Sequence, residues 1–212
     1  MHKSRFTSVA VLLVSVGLIP MTISGCTGSS PRTQNNADAF NEIDPAIAYS
    51  KRQREGAIEH YTRASKLHLE GKADEALIEY RKTLELDNQL YAAWNNMGQL
   101  LLEQGNYSDA VSAYRIASGL EPTDPRPEYN IGLAYQRVGW AQDSLTYFDN
   151  ALKRDPNYQP ALRGMIRSAE MLGLADARIM SIIRNAQLRE TEEQWRDYLS
   201  TQYYRVQAIL DD

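Results

Sequence analysis

The sequence predicts an all-α chain built as an array of helical hairpins, and three observations predict it. Four glycines, Gly71, Gly105, Gly139 and Gly173, stand 34 residues apart at each step. The columns around them recur: five residues after each of the first three comes a small residue (Ala76, Ala110, Ser144), and four further on an aromatic ring (Tyr80, Tyr114, Phe148). Gly98 and Gly132 repeat the same step, as do Pro122 and Pro156, with Asn88 in the column before them. A fixed period of this size marks a repeat array, and 34 residues is the length of one helix-turn-helix unit.

Composition narrows the function classes. With 43% hydrophobic and 24% charged residues over 212 positions, the chain resembles an ordinary globular or solenoid protein. The formal net charge is −4, and the first 25 residues hold Lys3 and Arg5 but no acid, so the remainder carries −6. An acidic balance argues against nucleic acid as a partner, because phosphate binding needs a basic face. Cys26 is the one cysteine, which excludes an internal disulfide and a thiolate metal cluster. His60 and His68 stand eight apart, whereas two histidines on a helix hold a metal at a spacing of four. No metal and no cofactor is expected.

Residues 1–25 read as an export signal: Lys3 and Arg5 give a positive start, Val9 to Ile19 an apolar run, and small residues close it. The run falls short of the ~20 residues of a membrane span. Ile23-Ser24-Gly25-Cys26 resembles the bacterial lipobox, whose cysteine is lipidated with acyl chains such as palmitate and becomes the first residue after cleavage. The resemblance implies a membrane-anchored lipoprotein, and Thr27 in place of an aspartate implies the outer membrane, facing the periplasm. Each buried methylene contributes about 0.8 kcal/mol, so one acyl chain holds marginally and two hold firmly. An ordinary signal with an incidental Cys26 is the alternative. Residues 26–44 turn to Gly, Ser, Pro, Asn and Thr and read as a flexible tether with a reach of roughly 20 to 25 Å.

Helices follow in order. Asp44-Pro45 starts the first, an N-cap with proline at the first helical position, and it runs to about Glu70 with Gly56 as a point of interruption. From about residue 57 to 158 come six helices in three hairpins, broken near Gly71, Asn88, Gly105, Pro122, Gly139 and Pro156. Gly98 and Gly132 lack a side chain where the first helix of a hairpin meets the second, opposite Ala110 and Ser144. The turn glycines supply the positive φ that ends a first helix, and the prolines stop the second. One unit cannot bury its apolar face alone, so about three are needed.

A fourth unit, residues 159–190, departs from the pattern. Trp94, Met97 and Gly98 have Leu162, Met165 and Ile166 as counterparts, and the small residue becomes Arg178. Isoleucine opposite arginine prevents the close crossing, so the helix expected from about Ala175 to Leu188 slides or rotates and makes its contact through Ala175 or Ala177. Residues 191–212 form a last amphipathic helix. Thr191 with Gln194 is a capping-box pattern, and Trp195, Tyr198, Leu199, Val206, Ile209 and Leu210 follow helical spacing. It either covers the open end of the array or docks a partner.

The stretch Trp94, Met97, Gly98, Leu101, Gly105, Tyr107, Ala110, Tyr114, Ala117, Pro122 resembles the tetratricopeptide repeat (TPR) family column by column. The resemblance spans residues 57–158, more faintly the unit after them. It implies a right-handed superhelical solenoid over residues 45–190, with clear repeats at about 57–90, 91–124 and 125–158, a degenerate fourth, and a capping helix. It also implies that the first helices line a concave groove able to bind a peptide. Asn95, Asn96 and Gln99 belong to that face in the second unit, and Tyr129, Asn130, Leu133 and Gln136 in the third. Arg163 and Arg167 lie further along.

Asn96 and Asn130 share a column, and a carboxamide offers both a donor and an acceptor. Two such rungs resemble the asparagine ladder of some peptide-binding members, though asparagine merely tolerated on a wet helix face gives the same pattern. The carboxylate-clamp subgroup is matched at Arg126 and Asn130, but its lysine columns hold Tyr61 and Asn95, so that specificity is not carried over. Arg126, Arg137, Arg163 and Arg167 make a locally basic stretch suited to an acidic or C-terminal peptide.

Catalytic patterns are missing: there is no Gly-x-Ser-x-Gly elbow, phosphate-binding glycine loop or His-Glu-x-x-His helix. The expectation is a non-enzymatic, lipid-anchored adaptor that binds a segment of an envelope protein, with no small-molecule substrate. Lipobox, short tether and a few repeats resemble lipoproteins that assist pilus or secretin assembly, of the tight-adherence and type IV types. The alternative is a structural scaffold for cell-wall or outer-membrane assembly proteins.

Overall fold

A computed structural model describes residues 44–211. The export signal, Cys26 and the tether up to residue 43 lie outside the described residues. Among the described residues there are nine α-helices and no strand. They are α1 (Pro45–Leu69), α2 (Ala73–Leu86), α3 (Tyr91–Glu103), α4 (Tyr107–Leu120), α5 (Arg126–Arg137), α6 (Ala141–Arg154), α7 (Gln159–Met171), α8 (Ala177–Gln187) and α9 (Glu193–Asp211).

The hairpin turns explain the period. Gly71, Gly105, Gly139 and Gly173 adopt φ of 74°, 78°, 84° and 67°, which only glycine enters without steric cost. The Gly71 N–H donates to the His68 carbonyl at 3.0 Å and the Lys72 N–H to that of Leu67 at 2.9 Å, a pair that recurs at all four turns. These bonds satisfy carbonyls that the end of a helix leaves open. Asp44 caps α1, its carboxylate accepting from the Ala46 N–H at 2.8 Å. Gly56 does not interrupt α1: the helix is continuous, and a Cβ there would stand 3.2 Å from Leu86, so the glycine admits a neighbour.

Neighbouring helices pack in sequence, and α1, α3, α5 and α7 also touch one another along one face. Two hydrophobic clusters result. One runs from Ala64 to Ala134 and centres on Tyr80, Leu100, Tyr114 and Ile131; the other runs from Leu162 to Val206 and holds Ile166, Ile183 and Leu199.

The role of Gly98 and Gly132 differs from the expectation that they meet the small residues. A Cβ on Gly98 would fall 2.8 Å from the Tyr114 ring, and one on Gly132 would fall 2.7 Å from Phe148. The bare backbone therefore receives the aromatic ring. Ala110 and Ser144 are fully buried alongside. Gly164 of α7, in the column of Asn96 and Asn130 and not that of Gly98 and Gly132, meets the same ring: its Cβ would fall 2.6 Å from Phe148.

In the fourth unit the rotation is present, and its form is specific. The repeat would bury positions 178, 182 and 185 of α8, as Ala110, Tyr114 and Ala117 are buried in α4; instead Ile179, Ile183 and Ala186 are buried. A shift of one residue turns a helix by about 100°. Ile166 fills the glycine column and is fully buried, while Arg178 faces solvent and pairs with Asp149. Ala177 is exposed and makes no close crossing; Ala175, in the turn before α8, packs on the cluster. Asp176 caps the helix through the Ile179 N–H at 2.8 Å.

The last helix also starts differently. Thr191 forms no capping box, and the backbone of Glu192 takes over: its N–H donates to Glu190 at 3.0 Å and its carbonyl accepts from Arg196 at 3.0 Å. Leu199, Gln202 and Val206 are buried, whereas Ile209 and Leu210 are exposed. With 19 residues against 11 in α8, α9 is longer by about 12 Å, and its end has nothing to cover it among the described residues.

Candidate peptide-binding face

Two clusters of side chains stand on the face made by α1, α3, α5 and α7. The first is a set of amides. The Asn96 side-chain N–H donates to the Tyr61 hydroxyl at 3.0 Å, that of Asn95 to the Asn96 oxygen at 3.4 Å, and that of Asn130 to the Asn95 oxygen at 3.5 Å. Asn95 is buried within this set. The rungs thus satisfy one another in part, and the Asn130 oxygen accepts no hydrogen bond among the described residues.

The second cluster is a pocket of about 200 Å³ lined from α5 by Tyr129, Leu133 and Gln136, from α7 by Arg163, Gly164 and Arg167, and closed by Pro160 and Trp195. Gly164 is continuous with its floor, and Gln136 holds the wall by donating to the Gly164 carbonyl at 3.1 Å and the Ser168 hydroxyl at 2.7 Å. Two guanidiniums lie over the Trp195 ring, Arg163 at 4.6 Å and Arg167 at 5.2 Å from its centre, an arrangement in which the ring quadrupole attracts each cation. Tyr129 packs on Phe148 and, edge to face, on Tyr158.

The charges here are unevenly spent. Arg163 is fixed by Glu190 at 2.5 Å and Glu192 at 2.7 Å, and Gln159 donates to Glu190 at 2.8 Å. The Glu190 side chain is only 1% exposed, and its hydrogen bond from Arg163 holds the carboxyl at about 2, far below the usual 4.5, although burial works the other way. Burial raises the Tyr129 hydroxyl, with the charges of Arg137, Arg167 and Arg163 pulling against it. Tyr114, beneath the same face, is fully buried and its hydroxyl has no hydrogen-bond partner among the described residues.

Of the residues expected at the groove, the structure brings Tyr129, Leu133, Arg163 and Arg167 into one pocket and gathers Asn95, Asn96 and Asn130 in the amide set. Arg137 donates to the Leu102 carbonyl at 3.3 Å beside them. Gln99 turns to Glu103 at 2.9 Å, and Arg126 is held by Asp124 at 2.6 Å over the Tyr91 ring, so neither joins the pocket. Trp195 and Glu190 were not anticipated there. A tryptophan on helical spacing signals burial, and nothing local to residue 195 announces two arginines about 30 positions earlier.

Comparison with known proteins fits this geometry. Residues 79–112 and 129–158 match the family described as tetratricopeptide repeat, and residues 98–139 match that described as TPR repeat. The chain carries tetratricopeptide repeats. Among curated relatives, the TPR stretch is 36% identical over 85 residues, 39% of this chain and 8% of the relative, to the general transcriptional corepressor ssn6 of Schizosaccharomyces pombe. It is 22% identical over 122 residues, 55% of this chain and 8% of the relative, to the human Superkiller complex protein 3. The chain spans less than a tenth of the length of these relatives.

Solved structures share the TPR fold at low identity. One described as a functional characterization of Pseudomonas aeruginosa pilF aligns at a TM-score of 0.64 and 22% identity, covering 74% of this chain and 70% of that one. YrrB, described as a TPR protein with an unusual peptide-binding site, aligns at 0.61 and 18%, covering 77% and 84%. The first TPR of Spaghetti (RPAP3), bound to the HSP90 peptide SRMEEVD, aligns at 0.54 and 18%, covering 57% and 95%.

Proposed function

We propose that this protein is a non-enzymatic adaptor that grips a peptide segment of another protein on the face of α3, α5 and α7. The observation that carries the reading is the pocket of Tyr129, Leu133, Arg167 and Trp195: a recess of mixed polarity, lined by aromatic rings, Leu133 and guanidiniums, on the same helices as a row of amides. An extended peptide presents side chains for such a recess and backbone groups for such amides. Two neighbours of the same fold are described by the peptides or peptide site they hold. The sequence from Lys3 to Cys26 supports a lipid anchor at Cys26, a tether, and an envelope partner at the outer membrane facing the periplasm. The same layout supports a role in pilus or secretin assembly.

A photo-crosslinking residue at Leu133, with the crosslinked protein identified by mass spectrometry, tests the groove. An envelope protein captured there and not from Ile116 supports the reading; capture from Ile116 alone overturns it. Cys26→Ser is expected to release the protein from sedimented membranes, and continued sedimentation would remove the anchor from the account. A pilus role requires loss of surface fibres or of assembled secretin on deletion.

A second reading has its own observation. A cleft of about 450 Å³ between α2, α3 and α4, lined by Leu77, Leu84, Trp94 and Ile116, gives the chain another apolar surface, as a scaffold for cell-wall or outer-membrane assembly proteins would need. That role predicts altered cell shape with fibres intact.

A further inference from the structure

The two arginines that lie over Trp195 have different fates. Arg163 is occupied by Glu190 and Glu192. Arg167, one turn along α7, is exposed and makes no ion pair among the described residues, yet lines the same recess and lies over the same ring. Glu170, one turn further along α7, is already engaged: it accepts from Tyr198 and from Gln202, each at 2.7 Å. Arg137, which donates to the Leu102 carbonyl at 3.3 Å, likewise has no ion pair among the described residues. In the repeating column, Arg167 follows Leu133 and Gln99 at steps of 34, so the cation enters only in the fourth unit, next to a tryptophan contributed by α9.

We propose that this pocket selects an acidic peptide: an aromatic or aliphatic side chain enters between Tyr129 and Trp195, and a neighbouring Asp or Glu carboxylate pairs with Arg167, with Arg137 adding long-range attraction. The volume of about 200 Å³ admits one large side chain. A guanidinium already stacked on an aromatic ring loses little freedom when it binds a carboxylate, and it presents a planar pair of donors. Arg163 is a positioning residue: fixed by buried Glu190, it holds the Trp195 wall. This specificity rests on the groove reading above.

The test uses the full chain in detergent and fluorescently labelled, capped ten-residue peptides with Glu-Phe-Glu, Gln-Phe-Gln or Lys-Phe-Lys cores, followed by anisotropy. The acidic core is expected to bind about tenfold more tightly than the amide core at low salt, a gap that narrows as salt screens the partly exposed pair. Arg167→Gln should remove most of that preference and Arg167→Lys only part of it. Arg126→Gln, outside the pocket, should leave it in place. Equal binding of the three cores, or an acidic preference that survives Arg167→Gln, overturns the proposal. Binding to phosphatidylglycerol vesicles that depends on Arg167, with none to the acidic peptide, assigns the site to a lipid headgroup and overturns it too. If the cores bind equally while Leu133 still crosslinks its partner, the specificity fails and the groove stands; if Leu133 captures nothing, both fall.

Discussion

At the scale of single residues, the repeat forces one ring onto one bare backbone, and the cost of filling that space differs by position. The Phe148 ring is held from two sides, by Gly132 and Gly164, with added Cβ atoms falling at 2.7 and 2.6 Å. A ring so clamped cannot retreat, so Gly132→Ala and Gly164→Ala should each destabilise by about 1–3 kcal/mol through overpacking. Gly119, exposed in α4 with nothing near its missing Cβ, should behave oppositely: Gly119→Ala is expected to stabilise by about 0.4–1 kcal/mol by restricting the unfolded chain. Urea midpoints of the three variants decide this, and equal losses would refute the account. Tyr114 offers a complementary case. Its buried hydroxyl has no partner among the described residues, and the same column holds Phe148 one unit later. An orphaned polar group costs about 1–3 kcal/mol, so Tyr114→Phe should raise the midpoint, and a marked fall would show that the hydroxyl is satisfied.

At the scale of helices, the C-terminal unit is fastened by charge where the second and third are fastened by ring on glycine. Glu190, between α8 and α9, is bonded to Arg163 of α7, to Gln159 and to the Glu192 backbone. Its carboxyl is depressed from 4.5 to about 2 by the Arg163 hydrogen bond first. A depressed acid stabilises fully above its unfolded value and loses that contribution as pH falls through its folded value, here between about 4.5 and 2. The shift corresponds to about 3 kcal/mol. Amide protection factors in α8 and α9 should therefore fall as pH drops across that window, while Glu190→Gln should be less protected at pH 7 and converge with the wild type near pH 2. A gap that does not change with pH would locate the effect elsewhere. Little of this fastening was legible in the sequence. The hairpin turns were, because a positive φ demands glycine locally and the demand recurs every 34 residues. The phase of α8 was legible only as a conflict between Ile166 and Arg178. Its resolution, a one-residue rotation, depends on the volume available around Ile166 after the turn lengthens. The link from Arg163 to Glu190 and Trp195 spans 27 and 32 positions without a periodic trace, which is why Tyr129, Arg163 and Arg167 could be read onto that face from the repeat and the tryptophan wall could not.

At the scale of the whole molecule, the two hydrophobic clusters meet through α6. Tyr147 of α6 packs on the first and Leu152 on the second, and Phe148 lies between Gly132 of α5 and Gly164 of α7. Polar contacts cross the same junction: Ser144 and Ser168 share a hydrogen bond of 2.7 Å, and Gln136 donates to Ser168 at 2.7 Å. In an array whose units contact only neighbours, cooperativity is a sum of nearest-neighbour terms, so a weakened junction divides unfolding into stages. Phe148→Ala should cost about 3–5 kcal/mol locally, because the glycines on either side have no side chains to refill the space. The expected consequence is a two-step denaturant transition, with α7 to α9 exchanging amide hydrogens before α1 to α5. Peptide binding at the Tyr129–Trp195 pocket should fall in parallel, since its walls come from both sides of the junction. A single sharp transition in Phe148→Ala, with both halves exchanging together, would mean that the polar contacts alone hold the array as one unit.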